Sequence, residues 1–113
     1  MKSFFTDDEL RCKCCGKIRM ATDFVEKLNM ARWLAGFPFV VNSGYRCGNH
    51  NTAVGSTTSN HVVGAAADIR CGESGKRYEM IKAMIGAGML GIGIGIVYVH
   101  CDDNRQTPRI WTY

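Results

Sequence analysis

Apolar residues at three- and four-residue steps predict two helices, and a capping pattern predicts a short helical turn before them. The first helix is expected over Thr22–Ala35, which carries apolar residues on one face. The second follows Ser74, which we expect to be its N-cap, and ends at about Gly86. Thr6 and Glu9 have the spacing of a capping box, so a helical turn should begin there.

Short β-rich runs lie between and after these helices. Phe39–Val41 is predicted to be a buried strand that leads into a loop, and Ala65–Cys71 a central strand. Gly91–Ile96 alternates glycine with isoleucine, a period of two whose glycine side we expect to lie under another backbone. Val97–Cys101 should extend that strand or pair with it. The sequence therefore predicts an α+β fold in which helices cover one face of a small, mainly antiparallel sheet.

Length and composition limit the classes of protein to consider. The chain has 113 residues, of which 46% are hydrophobic and 21% charged, so we expect a single globular domain over residues 1–113. No run approaches the roughly 18 apolar residues of a membrane helix. The formal charge of +4 suits an anionic partner such as bacterial cell wall, but the basic residues are scattered, which argues against nucleic acid. We expect a monomer that does not bind membranes.

The N-terminal segment and the long polar loop each carry a further expectation. The first residues hold no apolar core of a secretory signal, so we expect synthesis in the cytoplasm. Residues 44–64 are rich in Gly, Ser, Thr and Asn, and a loop of this length in a small domain usually carries function. His50, within this loop, is most simply a polar loop residue.

Three residues around the loop form a possible metal-binding set. His61 lies in the loop, Asp68 in the apolar run AAADI, and His100 at the end of another apolar strand. A carboxylate in an apolar strand is costly to bury without a partner. Each histidine alone is more simply a hydrogen-bonded polar residue, but two imidazoles and one carboxylate suit Zn²⁺ with a fourth position open to water. Together they indicate a hydrolytic zinc.

Four ordered motifs give the chain a family resemblance. They are SGYR at 43–46, NHNTAVG at 49–55, SNHVVGAAAD at 59–68 and VHCD at 99–102. Together they resemble the zinc D-alanyl-D-alanine carboxypeptidases and L-alanyl-D-glutamate endopeptidases, peptidoglycan peptidases of bacteria and phages that share a fold with the hedgehog signalling domain. The resemblance runs from Phe4 to about Asp102.

The resemblance also implies roles for individual residues. It implies zinc ligands at His61, Asp68 and His100. Arg46 matches an arginine beside the metal that holds a substrate carboxylate or the developing oxyanion, a role that suits a guanidinium. Ser59 matches a serine that orients the first ligand or contacts substrate, and Tyr45 is either a packing residue or a substrate contact.

The general base departs from the family pattern. Many relatives carry an acidic residue three positions before the last zinc histidine, where this chain has Val97. Asp102 is the nearest acidic substitute, and strand alternation places it on the same face as His100. We therefore predict Asp102 as the general base, with Asp103 or a polar loop group as alternatives.

Six cysteines form two sets. The first set has three cysteines close together near the N-terminus and a fourth directly after Arg46: Cys12, Cys14, Cys15 and Cys47. These four could be joined by a disulfide, could bind a structural zinc, or could remain loose thiols. Cys71 and Cys101 lie in apolar strands and are predicted to be small core residues.

The sequence thus predicts a zinc peptidase that cleaves the peptidoglycan stem peptide. An L-Ala-D-Glu endopeptidase is favoured over a D-Ala-D-Ala carboxypeptidase, in a phage or prophage lysis enzyme that reaches the wall after release from the cytoplasm. The alternative is a non-catalytic zinc module of the same fold that binds the wall or a protein. A weaker alternative, a redox or metal-sensing protein, depends on the CKCC cluster.

Overall fold

The fold combines helices with one mixed sheet. A computed structural model describes residues 3–47 and 60–113, and all statements below concern those residues. In chain order the elements are α1 Asp7–Leu10, α2 Thr22–Ala35, β1 Val41–Ser43, β2 Ala66–Arg70, α3 Ser74–Gly86, β3 Gly91–Ile94, β4 Tyr98–Asp102 and β5 Arg109–Thr112. The predicted α+β class is confirmed.

The sheet has the order β1-β2-β4-β3-β5. Every neighbouring pair is antiparallel except β3 and β5, which run parallel. Strand β4 lies at the centre, and its His100 is directly opposite Asp68 of β2 and Gly93 of β3. This register brings two of the predicted metal ligands together across adjacent strands.

Helices α2 and α3 pack together on one face of the sheet and enclose the core. Ile69, Val99 and Ile92 lie on that face and are almost fully buried. Because side chains alternate along a strand, Asp68 and His100 lie on the opposite face. Cys71 and Cys101 are buried in the core, as predicted.

No helix within 3–47 and 60–113 has the length and apolar character needed to cross a membrane.

The helix predictions are confirmed, with one correction. The Thr6 side chain accepts the Glu9 N–H at 3.3 Å, while the Glu9 carboxylate accepts the Thr6 N–H at 3.0 Å, so the capping box is present. Helix α2 has the predicted bounds. Helix α3 has its N-cap at Glu73, not Ser74, because the backbone of Glu73 is still extended and Ser74 is already helical.

The strand predictions need three corrections. Strand β1 begins at Val41 and not at Phe39. Phe39 is buried because it packs in the hydrophobic core, and it is not part of the strand. Strand β3 ends at Ile94, before the predicted Ile96. Strand β5 was not predicted, because it is an edge strand with mostly exposed residues and therefore lacks an apolar alternation.

Close backbone contacts hold the segments around the site against the N-terminal part of the chain. The Tyr45 N–H donates to the Leu10 carbonyl at 2.9 Å, and the Arg46 N–H donates to the His61 carbonyl at 3.2 Å. A Cβ at Gly44 would come within 2.7 Å of the Leu10 carbonyl oxygen, so only glycine fits there. These contacts set the position of Arg46 beside His61.

Candidate metal centre

The structure brings together the three predicted ligands. Asp68 lies on β2, His100 lies opposite on β4, and His61 lies in the turn that precedes β2. One ligand atom from each side chain lies within 4.8 Å of the other two, so the group could hold a metal ion. Sheet register places two of the donors, and the turn supplies the third.

His61 presents one free ring nitrogen to this group. Its Nδ1 lies 2.8 Å from the Gly44 carbonyl oxygen, which can only accept, so Nδ1 carries the proton and donates. Its Nε2 is buried and has no hydrogen-bond partner among the described residues, although Asp68 Oδ1 lies 3.4 Å away. A buried acceptor without a donor is costly, and a cation between Nε2 and Asp68 would satisfy it. The residues therefore fit a metal ion.

His100 lies between two carboxylates. Its Nδ1 is 2.9 Å from Asp68 Oδ1, and its Nε2 is 2.6 Å from Asp102 Oδ2. Burial lowers the pKa of His100, but hydrogen bonds to both carboxylates outweigh burial and raise it. The doubly protonated ring satisfies both oxygens, and a cation could replace the Nδ1 proton.

Asp68 is ionised and shared among three partners. Burial raises its pKa, but the two histidines outweigh burial and hold the pKa of this carboxyl well below its usual range. Its second oxygen, Oδ2, accepts from Arg46 Nη2 at 3.0 Å, and Arg46 Nε also donates to Ser43 Oγ at 3.0 Å. Arg46 is buried beside the metal group, as the resemblance implies, while its contact with substrate stays a prediction.

Asp102 lies on the side of the His100 ring away from Asp68. Its carboxylate is fully buried and accepts two hydrogen bonds from Arg105, at 2.7 and 2.8 Å, besides the bond with His100 Nε2. Burial raises the pKa of Asp102, but hydrogen bonds from His100 and Arg105 outweigh it and the pKa is lowered. A carboxylate that accepts the second ring N–H of a ligating histidine orients that ring. This position favours orientation of His100 over proton transfer to substrate, so the general-base role stays a prediction.

An open cleft of about 450 Å³ adjoins His100. It is lined by His100, Arg105, Arg109, Ile110, Trp111 and Tyr113. The Trp111 ring lies 5.5 Å from the His100 ring, and the Arg105 guanidinium stacks 4.5 Å from the Trp111 ring centre. The cleft therefore combines a wall of aromatic rings with two cations next to the candidate metal centre.

The glycines of β3 make room for this wall. A Cβ at Gly93 would lie 2.9 Å from side-chain atoms of Trp111 and Tyr113. The glycine side of β3 thus lies under side chains, and the predicted contact with another backbone is wrong. The reason is that β5 places its aromatic residues across that face.

A known protein family matches most of this chain. The Peptidase M15 family model matches residues 3–102, which include every side chain of the candidate centre. The chain belongs to the Peptidase M15 family. No curated protein matches it. Peptidase M15 is a family of zinc metallopeptidases, so the His61, Asp68 and His100 group is the part of this chain that could hold the family's metal.

The remaining predicted residues of this Peptidase M15 chain lie in different places. Tyr45 is buried, which suits packing. Val97 is exposed between β3 and β4, three positions before His100. Ser59 and His50 lie outside the described residues, so their predicted roles stay predictions.

Apart from His100, the residues that line the cleft were not predicted from the sequence, and neither was Tyr98, whose ring lies near that of Tyr113 in the cleft. Burial and the charge of Asp68 raise the pKa of both Tyr98 and Tyr113, which lie 5.5 Å apart between ring centres. Tyr98 could have been found, because it lies two residues before His100 and so shares its face of β4. Trp111 and Tyr113 could not, because they follow an irregular segment after Asp102.

A second group of possible ligands lies in the N-terminal part of the chain. One sulfur from each of Cys12, Cys14 and Cys47 lies within 4.8 Å of the others. Burial raises the pKa of Cys12, but the N–H groups of Cys47, Cys14 and Cys15 outweigh it and hold the pKa at about 6. The Cys47 thiol raises the pKa of Cys14 to about 11. Of the arrangements that the sequence left open, the structure shows Cys47 close to Cys12 and Cys14.

Proposed function

We propose that this protein is a zinc-dependent peptidase that hydrolyses a peptide bond in the stem peptide of peptidoglycan. The observation that carries the proposal is the buried Nε2 of His61, which has no hydrogen-bond partner within residues 3–47 and 60–113 and lies 3.4 Å from the Asp68 oxygen that also meets His100. Membership in Peptidase M15 supports the same reading.

In this proposal His61 Nε2, Asp68 Oδ1 and His100 Nδ1 hold the zinc ion. Zinc bound there would supply Lewis acidity toward a peptide carbonyl and would acidify water to a pKa of about 7. Two imidazoles and one carboxylate are a donor set of catalytic zinc sites, since they leave one tetrahedral position open.

The surrounding side chains keep these donors in place. The Gly44 carbonyl fixes the tautomer of His61 by accepting its Nδ1 proton, and Asp102 fixes that of His100 by accepting its Nε2 proton. Arg105 holds Asp102 with two hydrogen bonds. Once the Nδ1 proton of His100 is displaced, each histidine therefore offers one nitrogen to the metal position, Nε2 of His61 and Nδ1 of His100.

Other groups are suited to meet the substrate. Arg46 is always charged and lies against Asp68, so a substrate carboxylate or a developing oxyanion at this position would find a cationic donor. Burial and the charge of Asp68 raise the pKa of Tyr98 and Tyr113. Their hydroxyls could donate hydrogen bonds to substrate.

The cations in the cleft and the formal charge of +4 support the peptidoglycan stem peptide as the substrate class. The stem peptide carries free carboxylates, and Arg109 on β5 is an exposed cation in the cleft that could pair with one. We favour the L-Ala-D-Glu endopeptidase over the D-Ala-D-Ala carboxypeptidase. We further propose a phage or prophage lysis enzyme that is monomeric, is made in the host cytoplasm and reaches the wall after release.

One observation favours a second candidate function, a non-catalytic zinc module that binds the wall. Val97 replaces the acidic residue that many relatives carry, and Asp102 is buried behind His100. In that case the protein would hold zinc and bind peptidoglycan without cutting it.

Digestion of purified peptidoglycan by the zinc-loaded protein tests the proposal. Mass spectrometry of the products should show new D-Glu amino termini for the endopeptidase, whereas free D-alanine would indicate the carboxypeptidase. His61→Ala, purified in the same way, is the inactive control. Binding to the wall with no new termini and no released amino acid would overturn the peptidase and support the zinc module.

A further inference from the structure

Three cysteine sulfurs, those of Cys12, Cys14 and Cys47, lie together where the loop after α1 approaches the segment after β1, with Cys15 next to them in the chain. Cys12, Cys14 and Cys15 belong to the loop, and Cys47 comes from the second segment. Cys12 is buried, Cys14 and Cys15 are exposed, and Cys47 is partly buried. The proposed peptidase chemistry uses none of these thiols.

Backbone hydrogen bonds shape the loop around Cys12. The Cys12 N–H donates to the Lys17 carbonyl at 2.7 Å, and the Gly16 N–H donates to the Cys12 carbonyl at 2.9 Å. Gly16 has a φ of 73°, a left-handed conformation that glycine adopts readily and that reverses the chain here. The tight loop therefore turns Cys14 and Cys15 back over Cys12.

The second segment is held against this loop from two sides. The Tyr45 N–H donates to the Leu10 carbonyl at 2.9 Å, and the Cys47 N–H donates to Cys12 Sγ at 3.4 Å. A backbone N–H directed at a sulfur stabilises the thiolate form, which is the form that binds metals.

The sulfur positions match a tetrahedral metal site. Cys14 Sγ and Cys47 Sγ lie 3.8 Å apart, and Cys12 Sγ joins them within 4.8 Å. Four sulfurs at about 2.3 Å from one Zn²⁺ lie about 3.8 Å from each other in a tetrahedron. The Cys15 thiol is not one of these three sulfurs, but it is exposed and next to Cys14 in the same loop, so rotation of its side chain would supply the fourth donor.

The donor chemistry selects the kind of ion. Thiolates are soft ligands that bind Zn²⁺ and disfavour Mg²⁺ and Ca²⁺. A site closed by four thiolates leaves no position for water, which is typical of structural zinc. Lys13 and Lys17 in the same loop would offset part of the negative charge of four thiolates.

We propose that Cys12, Cys14, Cys15 and Cys47 bind a second, structural zinc ion that ties the loop after α1 to the backbone beside Arg46. Each thiol that binds releases its proton to solvent, and no electron transfer is involved. The site is separate from the His61 group and does not rest on the proposed peptidase function. Its role is to hold the segment from which Arg46 reaches Asp68.

Metal analysis of four proteins purified under reducing conditions tests this assignment. With two candidate groups among the described residues, the wild type should carry two zinc ions, and His61→Ala and Cys14→Ser one each. Cys71→Ala, which alters a cysteine outside the cluster, is the matched control and should keep both. The proposal would be overturned if the wild type carried one zinc ion and Cys14→Ser carried one as well. It would also be overturned if the protein contained iron in place of zinc.

X-ray absorption at the zinc edge of the His61→Ala protein gives a second readout that does not need a cysteine variant to fold. The remaining zinc should have sulfur neighbours only. Nitrogen or oxygen neighbours of this zinc would overturn the proposal. A mass spectrum of the wild type purified without reductant is a further check. A mass lower by two hydrogens would indicate a disulfide and would also overturn the proposal. Neither readout depends on peptidase activity.

Discussion

The two groups of metal-binding side chains differ in how the chain builds them. His61, Asp68 and His100 belong to or flank the sheet, and their register is set by the β2 and β4 ladder. The cysteine group instead joins two irregular segments, with two of its thiols exposed. The first group is therefore held by the fold, whereas the second group holds two parts of the fold together.

Because of this difference, we expect loss of a bound ion to have a different effect in each group. Removal of an ion from the sheet group leaves donors that Gly44, Asp102 and Arg46 still hold by hydrogen bonds. Removal of an ion from the cysteine group takes away one link between two segments that backbone hydrogen bonds also join. We expect the first loss to abolish chemistry and the second to weaken the structure.

The strongest test of the comparison is His61→Ala against Cys14→Ser in peptidoglycan hydrolysis. His61→Ala should lower kcat/KM by more than about 100-fold, because one of three zinc donors is lost. Cys14→Ser should keep measurable activity with the same products. Equal loss in both variants, with both still folded by circular dichroism, would contradict the separation of the two groups.

Asp102→Asn tests the positioning role beside His100. We expect zinc affinity to fall about 10–100-fold, because the carboxylate that accepts the His100 Nε2 proton is lost. Competition with a chromophoric chelator measures the affinity. If Asp102 only positions His100, saturating zinc restores most of kcat and leaves the pH profile unchanged. If it is the general base, kcat stays low at any zinc concentration.

Thermal unfolding distinguishes the two groups by stability. Cys14→Ser should lower Tm by roughly 5–10 °C under reducing conditions, a shift that corresponds to about 1–2 kcal/mol in a domain of this size. Cys71→Ala and His61→Ala are unsuitable as controls here because both residues are buried, so Cys14→Ser is compared with the wild type before and after a chelator removes zinc from both. A Tm difference that persists in the chelator would show that Cys14 does not stabilise the protein through a metal ion.

Trp111→Ala tests the cleft beside the sheet group. Loss of the aromatic surface should raise KM about 5-fold, since one aromatic contact contributes about 1 kcal/mol, and should change kcat less. Trp33→Ala, which removes the exposed tryptophan of α2, is the matched control and should leave KM unchanged. Equal effects of the two substitutions would exclude the cleft as the substrate site.

The smallest effect concerns the protonation of His100 in metal-free protein. The pKa of His100 is raised, so its imidazole titration by NMR should have a midpoint above the ordinary 6.5. Binding of zinc should abolish the titration, because the ion replaces the Nδ1 proton. The His100→Gln spectrum assigns the resonance. A midpoint at or below 6.5 would mean that the two carboxylates do not hold the ring as described.

Local patterns predicted much of the fold. The capping box of α1 and the bounds of α2 follow from short-range rules that the structure obeys. Alternation also placed Asp102 on the face of His100, and the 2.6 Å contact agrees with it. Such rules work because neighbouring residues decide helix ends and strand faces before any distant contact forms.

Motif order identified the candidate donors, and only the tertiary structure decided their geometry. Asp102 contacts Nε2 of His100, and Arg105 holds the Asp102 carboxylate there with two hydrogen bonds. No local sequence pattern links Arg105 to Asp102. Strand β5 and its aromatic wall depend on parallel pairing with β3.

The amino-acid sequence by itself determined which residues could bind a metal and which segments would be helical. The tertiary structure decided which nitrogen of each histidine is available, that Cys47 reaches Cys12 and Cys14, and that an aromatic cleft adjoins His100. The physical reason is distance along the chain. Contacts between residues that are not neighbours in the chain, from 11 positions for His100 and Trp111 to 35 for Cys12 and Cys47, depend on how the whole sheet and its loops pack.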